Sequence, residues 1–373
     1  MFSHHVLPLF LFLPLLLALI AAAQADYRRQ AEAQTDFVLA HFYDAAHGKY
    51  RDTYPQVPDA LPWTTMWANG VQWRALVAAA QADPAKYGQA LADFGQGLRE
   101  YWDPEGPVPG FNAYCSGPGG DDKYYDDNAW LVLGFLEAYD VTRDPQCLRW
   151  AEETHAFVLS GWDDKLGGGL YWSLARLSKN TCTNAPAAVS ALRLFALTGD
   201  PAHKEWADKI IAWTNAHLQD TDGLYWDAQT LDGTVEPTKW TYNTGLMIQA
   251  YVLLFRQNGE PDALREAGRL ADAALAAWQD PATGAFQNNA CFTHLLCEGL
   301  LWLYKAGSDV KYLDAVRGHA AYGDRVVRDP KGGYRNEWAD PPRRPDAPKT
   351  LLENASDARL LWLLAPYSGL DAL

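Results

Sequence analysis

Residues 201–255 read PAHKEWADKIIAWTNAHLQDTDGLYWDAQTLDGTVEPTKWTYNTGLMIQAYVLLF, and their order decides the fold. From Pro201, residues Trp206, Ile210, Ile211, Trp213, Thr214 and Leu218 keep a helical spacing, while Lys204, Glu205, Asp208 and Lys209 fall on the opposite face. A Gly-plus-aromatic loop, Gly223-Leu224-Tyr225-Trp226, follows. The next segment, Tyr242 to Phe255, is apolar nearly all round. A helix with one apolar stripe covers another element, and a helix apolar on every side is itself covered.

The same order recurs six times. Amphipathic segments occupy 26–43, 84–102, 144–160, 201–218, 261–279 and 309–328. The loops after them carry Gly48 and Tyr50, Gly110-Phe111, Gly168-Gly169-Leu170-Tyr171-Trp172, Gly223 to Trp226, Gly284 to Phe286, and Gly332-Gly333-Tyr334. Apolar segments then run over 64–79, 126–139, 180–197, 242–255, 289–304 and 351–364. Asp83-Pro84, Asp144-Pro145 and Asp200-Pro201 each read as an N-cap followed by proline at the first helical position. Six covering and six covered helices predict an all-α, two-layer (α/α)6 barrel. An open solenoid is the alternative, disfavoured because neither end carries a polar capping repeat.

The chain has 373 residues, 49% hydrophobic and 21% charged, which excludes a disordered protein. Residues 6–23 are almost wholly apolar and Ala23-Gln24-Ala25 follows, so 1–25 is expected to be a secretory signal peptide and Asp26 the first mature residue. The leader has His4 and His5 but no Lys or Arg, and an uncleaved anchor is the runner-up. Residues 26–373 are then one catalytic domain, secreted or periplasmic, expected to be a monomer without membrane insertion once the leader is cut. The chain closes on Asp371-Ala372-Leu373 without an apolar tail, which argues against a glycolipid anchor. The net charge of −15 disfavours nucleic acid and anionic membrane surfaces as partners. Disulfides among Cys115, Cys147, Cys182, Cys291 and Cys297 are permitted by export but not required.

The heads of the inner segments hold the chemistry. Asp126-Asp127 inside Tyr125-Asp126-Asp127-Asn128-Ala129-Trp130 places two carboxylates at the start of an apolar helix. Helix capping explains such residues in general, but a carboxylate pair is also the minimum equipment for glycoside hydrolysis. Asn69, Tyr125, Tyr171, Trp172, Lys179, Asn180, Tyr242 and Asn243 gather on the same end. Rings stack on sugar faces and amides bond hydroxyls, so these are the expected substrate-binding residues. The 16 Trp and 19 Tyr agree with a carbohydrate ligand. A zinc site at His294, Cys297 and Cys291 is a further alternative, disfavoured because only His294 and Cys297, at i,i+3, can share a face, Cys291 lies six residues from Cys297, and no distant ligand pattern joins them; no metal or cofactor is expected.

Several stretches resemble glycoside hydrolase family 76, the α-1,6-mannanases: Tyr125 to Trp130 with Ala138-Tyr139-Asp140, Gly167 to Trp172, Lys179-Asn180-Thr181-Cys182-Thr183-Asn184-Ala185-Pro186, Asp222 to Asp227, and Thr241 to Ile248. The match covers most of residues 30–280 and thins beyond 285, where Asn289 to His294 lacks the family's Phe-Lys-Gly character. The resemblance implies an (α/α)6 barrel and a retaining, endo-acting hydrolase of α-1,6-mannan, with Asp126 as nucleophile and Asp127 as general acid/base. Adjacent helical positions can hold carboxyls about 5–6 Å apart, the retaining separation. A transglycosidase acting on α-mannan-type glycans and a non-catalytic glycan-binding protein are the alternatives.

Overall fold

The computed structural model describes residues 26–58, 60–115, 122–307 and 309–369. The expected signal peptide lies outside them. Twelve α-helices alternate between two layers among the described residues. The outer helices are α1 (Tyr27–His41), α3 (Pro84–Leu98), α5 (Pro145–Leu159), α7 (Pro201–Leu218), α9 (Pro261–Trp278) and α11 (Val310–Tyr322). The inner helices are α2 (Met66–Ala82), α4 (Tyr125–Thr142), α6 (Thr181–Thr198), α8 (Thr241–Asn258), α10 (Ala290–Gly307) and α12 (Leu351–Leu364). Each inner helix packs on its inner neighbours, and α12 returns to α2, which closes the ring. The result is the (α/α)6 barrel.

Local chemistry sets the helix ends. Asp83, Asp144 and Asp200 accept hydrogen bonds from the Lys86, Gln146 and Ala202 amides at 3.0, 2.9 and 2.9 Å, with proline next in line. The expected outer segment to residue 328 ends earlier as an α-helix, at Tyr322, and continues as a π-helical turn over Gly323–Val327. Where α8 crosses α10 the backbones nearly touch: a Cβ on Gly245 would stand 2.5 Å from the Leu295 carbonyl oxygen, so only glycine fits.

The loops are held by a device on three inner helices. Asn128 accepts from the Phe111 amide at 2.9 Å and donates to the Phe111 and Tyr124 carbonyls. Asn184 does the same with Leu170 and the Asn180 carbonyl, and Asn354 with Tyr334 and the Thr350 carbonyl. Each buried amide therefore clamps both polar groups of one residue in the Gly-plus-aromatic loop, and its own polar atoms are satisfied by doing so.

Candidate active site

The heads of the inner helices open at one mouth. Asp126 and Asp127 sit in the first turn of α4, where the free amides and the dipole favour negative charge. Both residues are half-buried, and no cation pairs with either carboxylate among the described residues. They are not solvated alike. Asp126 Oδ1 accepts from the Asp127 amide at 2.9 Å, and its Oδ2 accepts from Trp172 Nε1 at 2.8 Å and from the Cys182 thiol at 3.6 Å. Asp127 has no such donors. Burial pushes Asp126 up to about 6 against the pull of its donors. Burial, then the Asp126 charge and then Asp122 push Asp127 well above the ordinary carboxylate range. Near neutral pH the better-solvated Asp126 is the one to ionise, and Asp127 keeps the proton.

Aromatic rings line the mouth around the pair. Tyr242 stacks on Phe292 at 5.3 Å, Phe292 stacks on Trp240 at 4.6 Å, and Trp67 closes the group at 5.8 Å from Phe292. Trp130 meets Tyr242 at 5.9 Å, one turn below Asp126. Trp172 is exposed, leans on Tyr124 at 5.0 Å and reaches back to Asp126. Asp227, from the stretch Asp222 to Asp227, stands near Cys182 and Tyr242 and is pushed up to about 6 by burial and Glu236.

The expected binding residues divide into two sets. Trp172 and Tyr242 lie at the mouth beside the pair. Tyr125 is buried against Phe157, stacked at 5.0 Å, and Tyr171 is buried with its hydroxyl donating to Asp163 at 2.9 Å. Lys179 is fully buried; its ammonium donates to Asp163 Oδ1 at 2.7 Å, to the Lys165 carbonyl at 2.7 Å and to the Gly168 carbonyl. Tyr171 and Lys179 thus have their polar groups engaged by the loop that carries Trp172, and the Tyr125 ring packs into the wall beside it. Asn180 accepts from the Ser178 hydroxyl at 2.6 Å. Asn69 is buried, and Asn243 is buried with both side-chain polar atoms unpartnered among the described residues.

Several contributors escaped the sequence reading. Cys182 reads as a packing residue but donates to Asp126. Asp227, Trp240 and Phe292 carry weak signals, because nothing in spacing alone says which face of a helix head turns to the axis. All five cysteines are free thiols. His294 Nδ1 bonds the Ala290 carbonyl at 2.9 Å, and no His, Cys, Asp and Glu group able to hold a metal occurs among the described residues.

A two-layer helical barrel with an uncompensated carboxylate pair at an aromatic mouth defines a class of carbohydrate-active proteins. The model of glycosyl hydrolase family 76 matches residues 27–306, and the chain belongs to that family. It is 31% identical to the mannan endo-1,6-alpha-mannosidase DCW1 of Candida glabrata over 36% of this chain and 34% of that protein. The chain spans between a third and about half the length of the first curated relatives it matches. Among solved structures it is similar to a GH76 α-mannanase of Bacteroides thetaiotaomicron, with a TM-score of 0.85 at 23% identity over 93% of this chain and 98% of that one. It is also similar to an inactive variant of the α-1,6-mannanase GH76A of Salegentibacter sp. HEL1_6 bound to α-1,6-mannotriose. There the TM-score is 0.78 at 23% identity over 91% and 99%, and two consecutive aspartates of that protein are replaced by asparagine.

Proposed function

We propose that this chain is a retaining, endo-acting hydrolase of α-1,6-mannosidic linkages, exported as one catalytic domain after loss of residues 1–25 and active as a monomer. The observation that carries the reading is the unequal solvation of Asp126 and Asp127 at a mouth without a counter-cation. Ionised Asp126 attacks the anomeric carbon while Asp127 gives its proton to the departing glycosidic oxygen, leaving a glycosyl ester on Asp126. Asp127, now ionised, takes a proton from water as the water oxygen attacks the same carbon and the ester bond to Asp126 breaks. The aromatic rings around the pair suit the apolar faces of sugars. Support for the polymer comes from the mannan endo-1,6-alpha-mannosidase relative and from the mannotriose-bound neighbour.

Incubation with α-1,6-, α-1,2-, α-1,3- and β-1,4-mannans tests the reading. Oligosaccharide release from the α-1,6 polymer alone is the expected result. Products longer than the starting oligosaccharides would make the chain a transglycosidase, and binding without release would make it a glycan-binding protein.

A further inference from the structure

The inner helices also end together, at the mouth opposite the catalytic pair. Their C-terminal halves line a cavity of about 590 Å³. Each of its lining carboxylates meets an arginine, although Glu137 Oε2 has no donor of its own. Glu137 and Glu298 are shared by Arg74 and Arg359, and Asp140 accepts from Arg193 at 2.7 Å. Two cations are left over: Arg256 in the last turn of α8 and Lys305 in the last turn of α10, on neighbouring helices. Neither pairs with a carboxylate among the described residues. Arg256 lies over the Trp302 ring at 5.4 Å, which fixes its plane at the rim. Deeper in, Arg359 is 7% exposed and its Nε has no acceptor.

A cation in the last turn of a helix is favoured by the helix dipole, typically by about 0.3–1 kcal/mol. That effect accounts for one basic residue per helix end. It does not account for two of them converging on a hollow, or for an arginine N–H left unsatisfied at depth, where an orphan donor is costly. Burial, then the Arg256 charge, hold Lys305 below its ordinary value; the Glu298 charge offsets part of this and Arg359 adds to it, and a bound anion would relieve the remainder. An oxyanion with several oxygens could accept from the Arg256 fork, the Lys305 ammonium and Arg359 Nε from three directions.

We propose that this far mouth is a binding site for a phosphate-type oxyanion, free or as a sugar monoester, held by Arg256, Lys305 and Arg359. The site is separate from the catalytic pair, so the proposal stands whatever the mannan assays return.

Titration calorimetry on the full chain at constant ionic strength tests it, with inorganic phosphate, mannose 6-phosphate and mannose as probes. The expected result is saturable one-site binding of both phosphates and none of mannose. Arg256→Gln/Lys305→Gln should weaken binding at least about tenfold, since charge-assisted bonds are lost, while Arg256→Lys/Lys305→Arg keeps it. Tighter binding of the ester would identify a sugar phosphate, and equal binding the free ion. Lys305→Gln alone, at the exposed rim, keeps the test if the double variant does not fold. Unsaturable heats in the wild-type chain, or unchanged affinity in the glutamine variants, would overturn the proposal.

Discussion

Two sets of carboxylates occupy one barrel axis, and they are treated in opposite ways. Between the mouths, Glu298 is buried, yet Arg74 at 2.8 Å and Arg359 at 2.9 Å outweigh that burial and hold it below its ordinary value. At the mouth of the inner-helix heads Asp126 and Asp127 are desolvated with no cation paired to either among the described residues, and both are raised. The first arrangement ties four inner helices together (α2, α4, α10 and α12). The second leaves the ionisation of the pair without a compensating charge among the described residues. Burial alone therefore does not distinguish the two sets; the presence or absence of an arginine partner does.

The largest expected effect is on turnover at the unpaired end. Asp127→Asn should lower mannan hydrolysis by roughly 10²–10⁴-fold, the range of general acid catalysis, and Asp126→Asn by at least as much. Asp126→Asn should unfold at or above the wild-type temperature, because an uncompensated buried charge is removed, and Asp127→Asn close to it, because the Asp127 carboxyl is already neutral. Reducing-end assays and thermal melts check the two halves separately. The opposite pattern is expected at the paired end. Glu298→Gln should cost about 3–5 kcal/mol of stability, since it strands buried arginines, while the folded fraction keeps its turnover. Should Glu298→Gln spare stability, or Asp127→Asn unfold the chain, the contrast would collapse.

Smaller effects sharpen the contrast through pH. The rate should rise through the Asp126 ionisation near 6 and fall again once Asp127 loses its proton, a bell whose two limbs belong to the pair. Trp172→Phe removes the 2.8 Å donor from Asp126, so the acid limb should move to higher pH with a modest loss of kcat. Stability has the reverse dependence at the two ends. Asp126, raised to about 6, and Glu353, raised to about 7, both by burial, bind more protons folded than unfolded, so their contribution is full below the unfolded values near 4 and is lost as pH rises through 6–7; Asp127, also raised, acts in the same direction. Glu298 is lowered, so its contribution is lost as pH falls below the usual glutamate range. Chemical denaturation at several pH values measures the balance.

The barrel was legible because covering and covered helices differ in periodicity, and the Asp-Pro caps marked three outer starts to the residue. The position of the carboxylate pair in the first turn of an inner helix was legible because Asp126 and Asp127 open an otherwise apolar segment. The binding residues were read less well. Tyr171 and Lys179 sit on a Gly-rich loop in a segment shared with the family, but their side chains turn into the wall, and a sequence does not say which side of a loop faces the axis. Asn128, Asn184 and Asn354 read as caps or sugar ligands; they are loop clamps, a role set by Phe111, Leu170 and Tyr334 lying 14–20 residues away. Cys182 reads as packing because a thiol carries little polarity until a carboxylate stands beside it.

The central claim is that both aspartates act on one anomeric carbon from adjacent positions of one helix. Proton NMR during the first minutes of α-1,6-mannan hydrolysis tests it most directly, before mutarotation blurs the product. A glycosyl ester on Asp126 requires two inversions, so the α-anomer should form first. An initial β-anomer would place the base farther away, for instance at Glu353 or Asp357, and would contradict the account.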